Sequence, residues 1–104
     1  MQPQDKRRSR RIRIGQPIKI RVSGPKDSHL EEVNLTKNVA REGIYFVSPL
    51  AAYHEGMRLY VTVPYHAPRE PQDREYLAQV VRVERLTDNQ IGVAVKFLTE
   101  VTPQ

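Results

Sequence analysis

The residues best suited to recognition chemistry fall in two groups. Arg7-Arg8-Ser9-Arg10-Arg11 places an arginine at each end of a five-residue window. Guanidinium forks bind phosphates and guanine edges bidentately, and their planes stack on bases. Well downstream, Asn38-Val39-Ala40-Arg41-Glu42-Gly43 sets an amide, a small residue and a glycine at fixed offsets just before a strand-like run. The amide supplies a donor and an acceptor, and a glycine lets backbone come close to a ligand. Together the groups point to a site for a small, doubly charged, guanine-containing nucleotide. Each has a plainer meaning when taken alone. The arginine cluster also describes a solvated tail or a loose binder of polyanions. Asn38 also suits a turn, Gly43 also suits a purely backbone requirement, and Arg41 reads as a solvated loop residue bordering the site.

Other chemistry finds little support. His29, His54 and His66 lie far apart without metal-ligand spacing and read as exposed loop residues. Glu31 and Glu32 are adjacent, so on a strand they face opposite sides and form no acid–base pair; they read as a solvated strand edge. No serine or threonine lies in a nucleophile motif, and neither a Walker loop nor a dinucleotide-binding glycine fingerprint occurs. The five tyrosines are scattered rather than paired for stacking, which argues against a single-stranded nucleic-acid barrel. The expectation is a binding module, not an enzyme, with no metal and no cofactor beyond its ligand.

Bulk properties narrow the class further. A chain of 104 residues accommodates one domain with one modest core. Its 38% hydrophobic content, gathered into short runs, favours folding over disorder. No apolar stretch approaches the ~20 residues of a membrane span. The charged start from Lys6 onward, without a following apolar block, predicts no secretory signal. The absence of cysteine fits a reducing cytoplasm. The net charge of +5 is uneven: Lys6, Arg7, Arg8, Arg10, Arg11 and Arg13 crowd the N-terminus. An anionic partner therefore has an address on this chain.

The elements that must hold these residues read as strands, because the periodicity is two nearly throughout. Ile18, Ile20 and Val22 alternate with polar residues; Val33, Leu35 and Val39 share odd positions in the next run, interrupted by Lys37. Ile44 to Val47 is apolar on both faces, and Leu59, Val61 and Val63 alternate again. Gln79, Val81 and Val83 oppose Ala78, Val80 and Arg82, and Ile91, Val93, Val95 and Phe97 form the clearest stripe. Asp88-Asn89 predicts a hairpin turn between the last two runs. Tyr65 to Arg74, with Pro68 and Pro71, reads as an exposed loop, and Pro49 to Tyr53 holds one helical turn at most. Six short strands in about 80 residues predict an all-β fold, a small antiparallel barrel or sandwich with little helix. Residues 1–14 form a mobile basic arm in this reading, 15–98 the β domain and 99–104 a tail.

The ordered set resembles the PilZ family, whose domains bind cyclic di-GMP through R-x-x-x-R and D/N-x-S-x-x-G. Arg7 to Arg11 matches the first motif; Asn38 and Gly43, with the Ile44-Tyr45-Phe46 run, match the second. Gly56 before Leu59 is similar to the family's strand-opening glycine, and the 78–83 and 91–97 runs to its closing hairpin. The resemblance covers roughly residues 6–98. It implies a six-stranded antiparallel β-barrel with a nucleotide on its outer face, clamped by the arginine arm. Arg7, Arg11 and, additionally, Arg8 would contact phosphates and guanine faces; Asn38 would bond a guanine edge; Gly43 would admit close approach. Ala40 stands where the family has serine and cannot supply that hydroxyl, a loss of ~0.5–1.5 kcal/mol, or roughly several-fold to tenfold in affinity. The implied function is a bacterial, cytoplasmic cyclic di-GMP sensor signalling through a downstream protein. The alternatives are a degenerate PilZ domain acting by protein contacts alone, as in motility or pilus assembly, and a basic-arm nucleic-acid-binding barrel.

Overall fold

Alternating apolar residues need a sheet with one covered face, and a small sheet covers that face most fully by closing on itself. The computed structural model describes residues 15–22 and 30–101, and shows this solution. Six antiparallel strands follow in chain order: β1 (Pro17–Val22), β2 (Glu31–Ala40), β3 (Gly43–Ser48), β4 (Arg58–Val63), β5 (Arg74–Thr87) and β6 (Gln90–Val101). They close in the order β1-β2-β3-β6-β5-β4, with β4 returning to β1. No helix occurs among the described residues, and Pro49 to Tyr53 passes as bend and turn. The arginine segment with Arg7, Arg8 and Arg11 lies outside the described residues, as does His29.

The core fills the barrel with the residues that alternation marks. Ile18, Ile20, Leu59 and Val61 are completely shielded, as are Phe46, Ala78 and Val93. Tyr53 packs its ring edge-on against Phe46 at 5.5 Å between centroids. Ile91 and Phe97 pack against the same core, so the stripe expected on β6 is present, and the Asp88-Asn89 turn joins β5 to β6 as expected. β6 runs on to Val101, into the stretch read as a tail from residue 99.

On β2 and β5 a bulge breaks the alternation of apolar residues. On β2 the register slips between Thr36 and Asn38, leaving Lys37 unopposed. One extra residue exchanges the inward and outward sets beyond it. Glu32, Asn34 and Thr36 therefore turn inward before the bulge and Val39 after it, while Val33 and Leu35 remain 63% and 56% exposed. Val33, Leu35 and Val39 are thus not one apolar face. On β5 a slip between Val80 and Arg82 leaves Val81 exposed and returns Val83 to the core face of Ala78 and Val80.

The inward polar end of β2 corrects a further expectation. Glu32 is not a solvated edge residue. Its carboxylate accepts from the Tyr53 hydroxyl at 2.6 Å, the Ser48 hydroxyl at 2.9 Å and the Asn34 amide at 2.8 Å. Burial, followed by this bond to Glu32, pushes the Tyr53 hydroxyl well above the usual phenol range. The network ties the 49–53 turn to the barrel and satisfies polar groups that would otherwise be costly to bury.

Candidate functional site

The same bulge that spoils the pattern of β2 builds the outer surface beyond it. Past Lys37, Asn38 pairs with Tyr45 and Ala40 with Gly43, while Val39 and Ile44 turn inward between them. Asn38, Ala40, Gly43 and Tyr45 consequently share the outer wall at the end of the β2–β3 hairpin. They line a shallow, largely apolar cleft of about 330 Å³ together with Glu42 of the hairpin turn and Val95 and Lys96 of β6. Of the residues singled out from sequence, the structure brings Asn38, Ala40 and Gly43 together here.

Each lining residue has a local reason for its position. Gly43 is needed for close approach, but of the barrel's own backbone: a Cβ there would lie 2.0 Å from the Val95 carbonyl oxygen on β6. Asn38 is exposed, and its carboxamide makes no hydrogen bond to another described residue, so both donor and acceptor face the cleft's solvent. Ala40 is also exposed, so its methyl group fills no core space.

Sequence reasoning missed Tyr45 and Lys96 as lining residues. The hydroxyl end of the Tyr45 ring lies over Gly92, where any Cβ would collide with it. Its hydroxyl donates to the Glu84 carboxylate at 3.0 Å on β5. Desolvation first, and then this bond, raise its pKa, so it stays a neutral, pinned aromatic wall. Gly92 and Ala94 between the large residues of β6 were the available signal, since a flat ring needs small neighbours beneath it. The Lys96 ammonium is exposed and forms no ion pair among the described residues. A neutral ring, a free amide, a free cation and the Glu42 carboxylate on a largely apolar surface suit a planar, hydrogen-bonding ligand.

The described chain enters the barrel beside this cleft. Gly15 takes a left-handed φ of 85° and donates its N–H to the Thr36 carbonyl at 2.8 Å, two positions before Asn38. Thr36 N–H returns a bond to Gln16 at 2.9 Å. The described chain therefore begins next to the bulge.

A closed, six-stranded antiparallel barrel carrying an open cleft on its outer wall defines a small β-barrel binding module. The chain matches the PilZ domain family over residues 5–104 and belongs to it. No curated protein and no solved structure matches it significantly.

Two histidine and loop expectations also change. His66 is half-buried rather than exposed, and its Nδ1 lies 2.7 Å from Asp73 Oδ1. Asp73, in the stretch read as an exposed loop, is buried; its other oxygen accepts the backbone N–H groups of His66 and Glu70, both at 3.1 Å. Among the described residues no group of acidic and histidine side chains has the arrangement of a metal site, and no helix is long and apolar enough to cross a membrane.

Proposed function

We propose that this domain binds cyclic di-GMP at the cleft formed by Asn38, Ala40, Gly43, Tyr45 and Lys96. The observation that carries this reading is the free amide of Asn38, two residues past the Thr36 carbonyl that Gly15 bonds, on the wall that also carries Lys96. Arg11 is four residues upstream of Gly15 and Arg7 eight. Extended chain reaches roughly 3.3–3.6 Å per residue, so Arg11 comes within about 14 Å of Gly15 and Arg7 within about 29 Å. Both can therefore close over a nucleotide lying on the β2–β3–β6 wall.

In this mechanism Asn38 bonds a guanine edge, Tyr45 walls the cleft, and Arg7, Arg8 and Arg11 bond phosphates and stack on guanines. Charge-assisted hydrogen bonds offset the entropy of holding the arginine segment on the wall. The composite surface of protein and nucleotide is then read by a partner protein. The reading is of a cytoplasmic binding and signalling module, with no catalytic role for any residue. Substituting Arg7→Ala and Arg11→Ala tests it: each weakens cyclic di-GMP binding by ~1.5–3 kcal/mol, the scale of hydrogen bonds to charged groups. Unchanged binding by the double variant would remove the arginines from the site.

A further inference from the structure

The opposite wall of the barrel carries a second concave site. In the closed order β1 stands across from β6, and β4 across from β3. The outward residues of β1, β4 and β5 lie side by side there: Lys19 pairs with Thr62, Arg21 with Tyr60, and Thr62 with Glu75. The 64–73 loop folds beside them and brings in His66 and Arg69. Together they enclose a pocket of about 160 Å³.

Two of its basic groups have long, partly exposed partners at the rim: Lys19 lies 3.9 Å from Glu31 and His66 3.9 Å from Glu70. Lys19, Arg21 and Arg69 line it, together with two carboxylates, Asp73 and Glu75. The Asp73 side chain is fully shielded, and both its oxygens are occupied by His66 and by backbone N–H groups. Its charge is therefore spent inside the loop. Glu75 is engaged by Arg21 at 3.3 Å, which leaves the other guanidinium donors of Arg21 available. Arg69 has no hydrogen bond or ion pair among the described residues, and the His66 Nε2 likewise has none.

Three of these cationic groups are also held in place. Arg21 lies over the Tyr60 ring at 4.6 Å and Lys19 near the Tyr65 ring at 5.6 Å, both in cation–π contact. His66 is fixed by Asp73 at 2.7 Å. Side chains already immobilised lose little entropy when a ligand arrives. The bond to Asp73, against some opposing desolvation, raises the His66 pKa and favours its charged form.

We propose that this pocket is a second ligand site, which takes the phosphate group of a small phosphate monoester. Donors from β1 and from the 64–73 loop converge on it from different directions, which suits the several oxygens of a phosphate dianion better than the two of a carboxylate. The volume admits a phosphate with a short substituent. The site is independent of the Asn38 cleft.

The test is a titration of the intact protein followed by NMR of its backbone amides and the His66 ring. The probes are inorganic phosphate and phenyl phosphate, with chloride at matched ionic strength and a single-stranded oligonucleotide as comparisons. Both phosphates are expected to shift the amides of 65–75 and the His66 ring saturably, leaving Asn38 and Gly43 unmoved. Arg69→Ala, an exposed change that leaves the core intact, is expected to weaken this response about tenfold. Lys19→Ala should act in the same direction. An equal response to chloride would reduce the effect to screening and overturn the proposal. So would an unchanged response in Arg69→Ala, or binding of the oligonucleotide without binding of the phosphates.

Discussion

At the scale of single residues, Ala40 and Gly43 separate what the second motif does for a ligand from what it does for the barrel. Ala40 is exposed on the cleft wall, so a serine there places its hydroxyl in solvent and loses nothing to burial. Ala40→Ser is expected to leave the melting temperature unchanged and to tighten cyclic di-GMP binding by ~0.5–1.5 kcal/mol, or about two- to tenfold. Calorimetry of the two proteins checks it. Gly43→Ala behaves differently, because the new methyl group meets the Val95 carbonyl, which is backbone and cannot swing aside. Destabilisation of ~1–3 kcal/mol is expected in denaturant unfolding, even without nucleotide. The glycine of the motif was legible in the sequence; its partner on β6 was not, because a contact 52 positions away leaves no local pattern.

His66 and Asp73 give a prediction with a defined pH sign. The bond to Asp73 raises the His66 pKa from its ordinary 6.5, so this contribution is complete below 6.5 and is lost as pH rises through the raised value. For Asp73, burial pushes upward but is outweighed by the bonds from His66 and the backbone N–H groups of Glu70 and His66, and the net shift is below 3.8. That contribution is present above 3.8 and is lost as pH falls through the lowered value. The pair stabilises most between these limits. Thermal melts of the protein and of His66→Gln should therefore differ most near about pH 5 and converge toward about pH 9. A difference that grows with pH would contradict the ion pair.

At the scale of elements, the bulge at Lys37 governs the site. Without it Asn38 and Ala40 would face the core and Val39 would face solvent. Deleting Lys37 is expected to destabilise the barrel and abolish nucleotide binding together, measured by unfolding and titration of the same variant. The strands themselves were plain from period two; β1 and β4 follow it throughout and β6 as far as Phe97, before a bulge at Leu98. The faces of β2 were not plain, because Val33 and Leu35 mimic a core stripe while Glu32, Asn34 and Thr36 do the inward packing. A polar inward face is affordable only where Ser48 and Tyr53 supply donors. Those partners come from β3 and the following turn, so the exception could not be read from β2 alone.

At the scale of the molecule, the closed barrel is a rigid frame with different chemistry on opposite walls. The β2–β3–β6 wall offers a free amide, a neutral ring and Lys96, and its β2 edge bonds Gly15 through Thr36. The β1–β4–β5 wall offers braced cations. Closure leaves the core strands paired on both sides, so a ligand on either wall need not reshape the core. Binding on the first wall is instead expected to act on the segment before Gly15. Hydrogen exchange should show residues 1–14 gaining protection with cyclic di-GMP while β1, β4 and β5 stay unchanged; equal protection of that segment in both states would refute the clamp.

The central claim, that the Asn38 wall and the arginine segment form one cyclic di-GMP site, is tested most directly by calorimetric titration of the protein with cyclic di-GMP, using cyclic di-AMP and GTP as controls. Saturable binding of cyclic di-GMP is expected, with weaker or no binding of the controls and loss of the signal in Arg7→Ala/Arg11→Ala. No heat of binding with cyclic di-GMP, or equal binding of all three nucleotides, would contradict it.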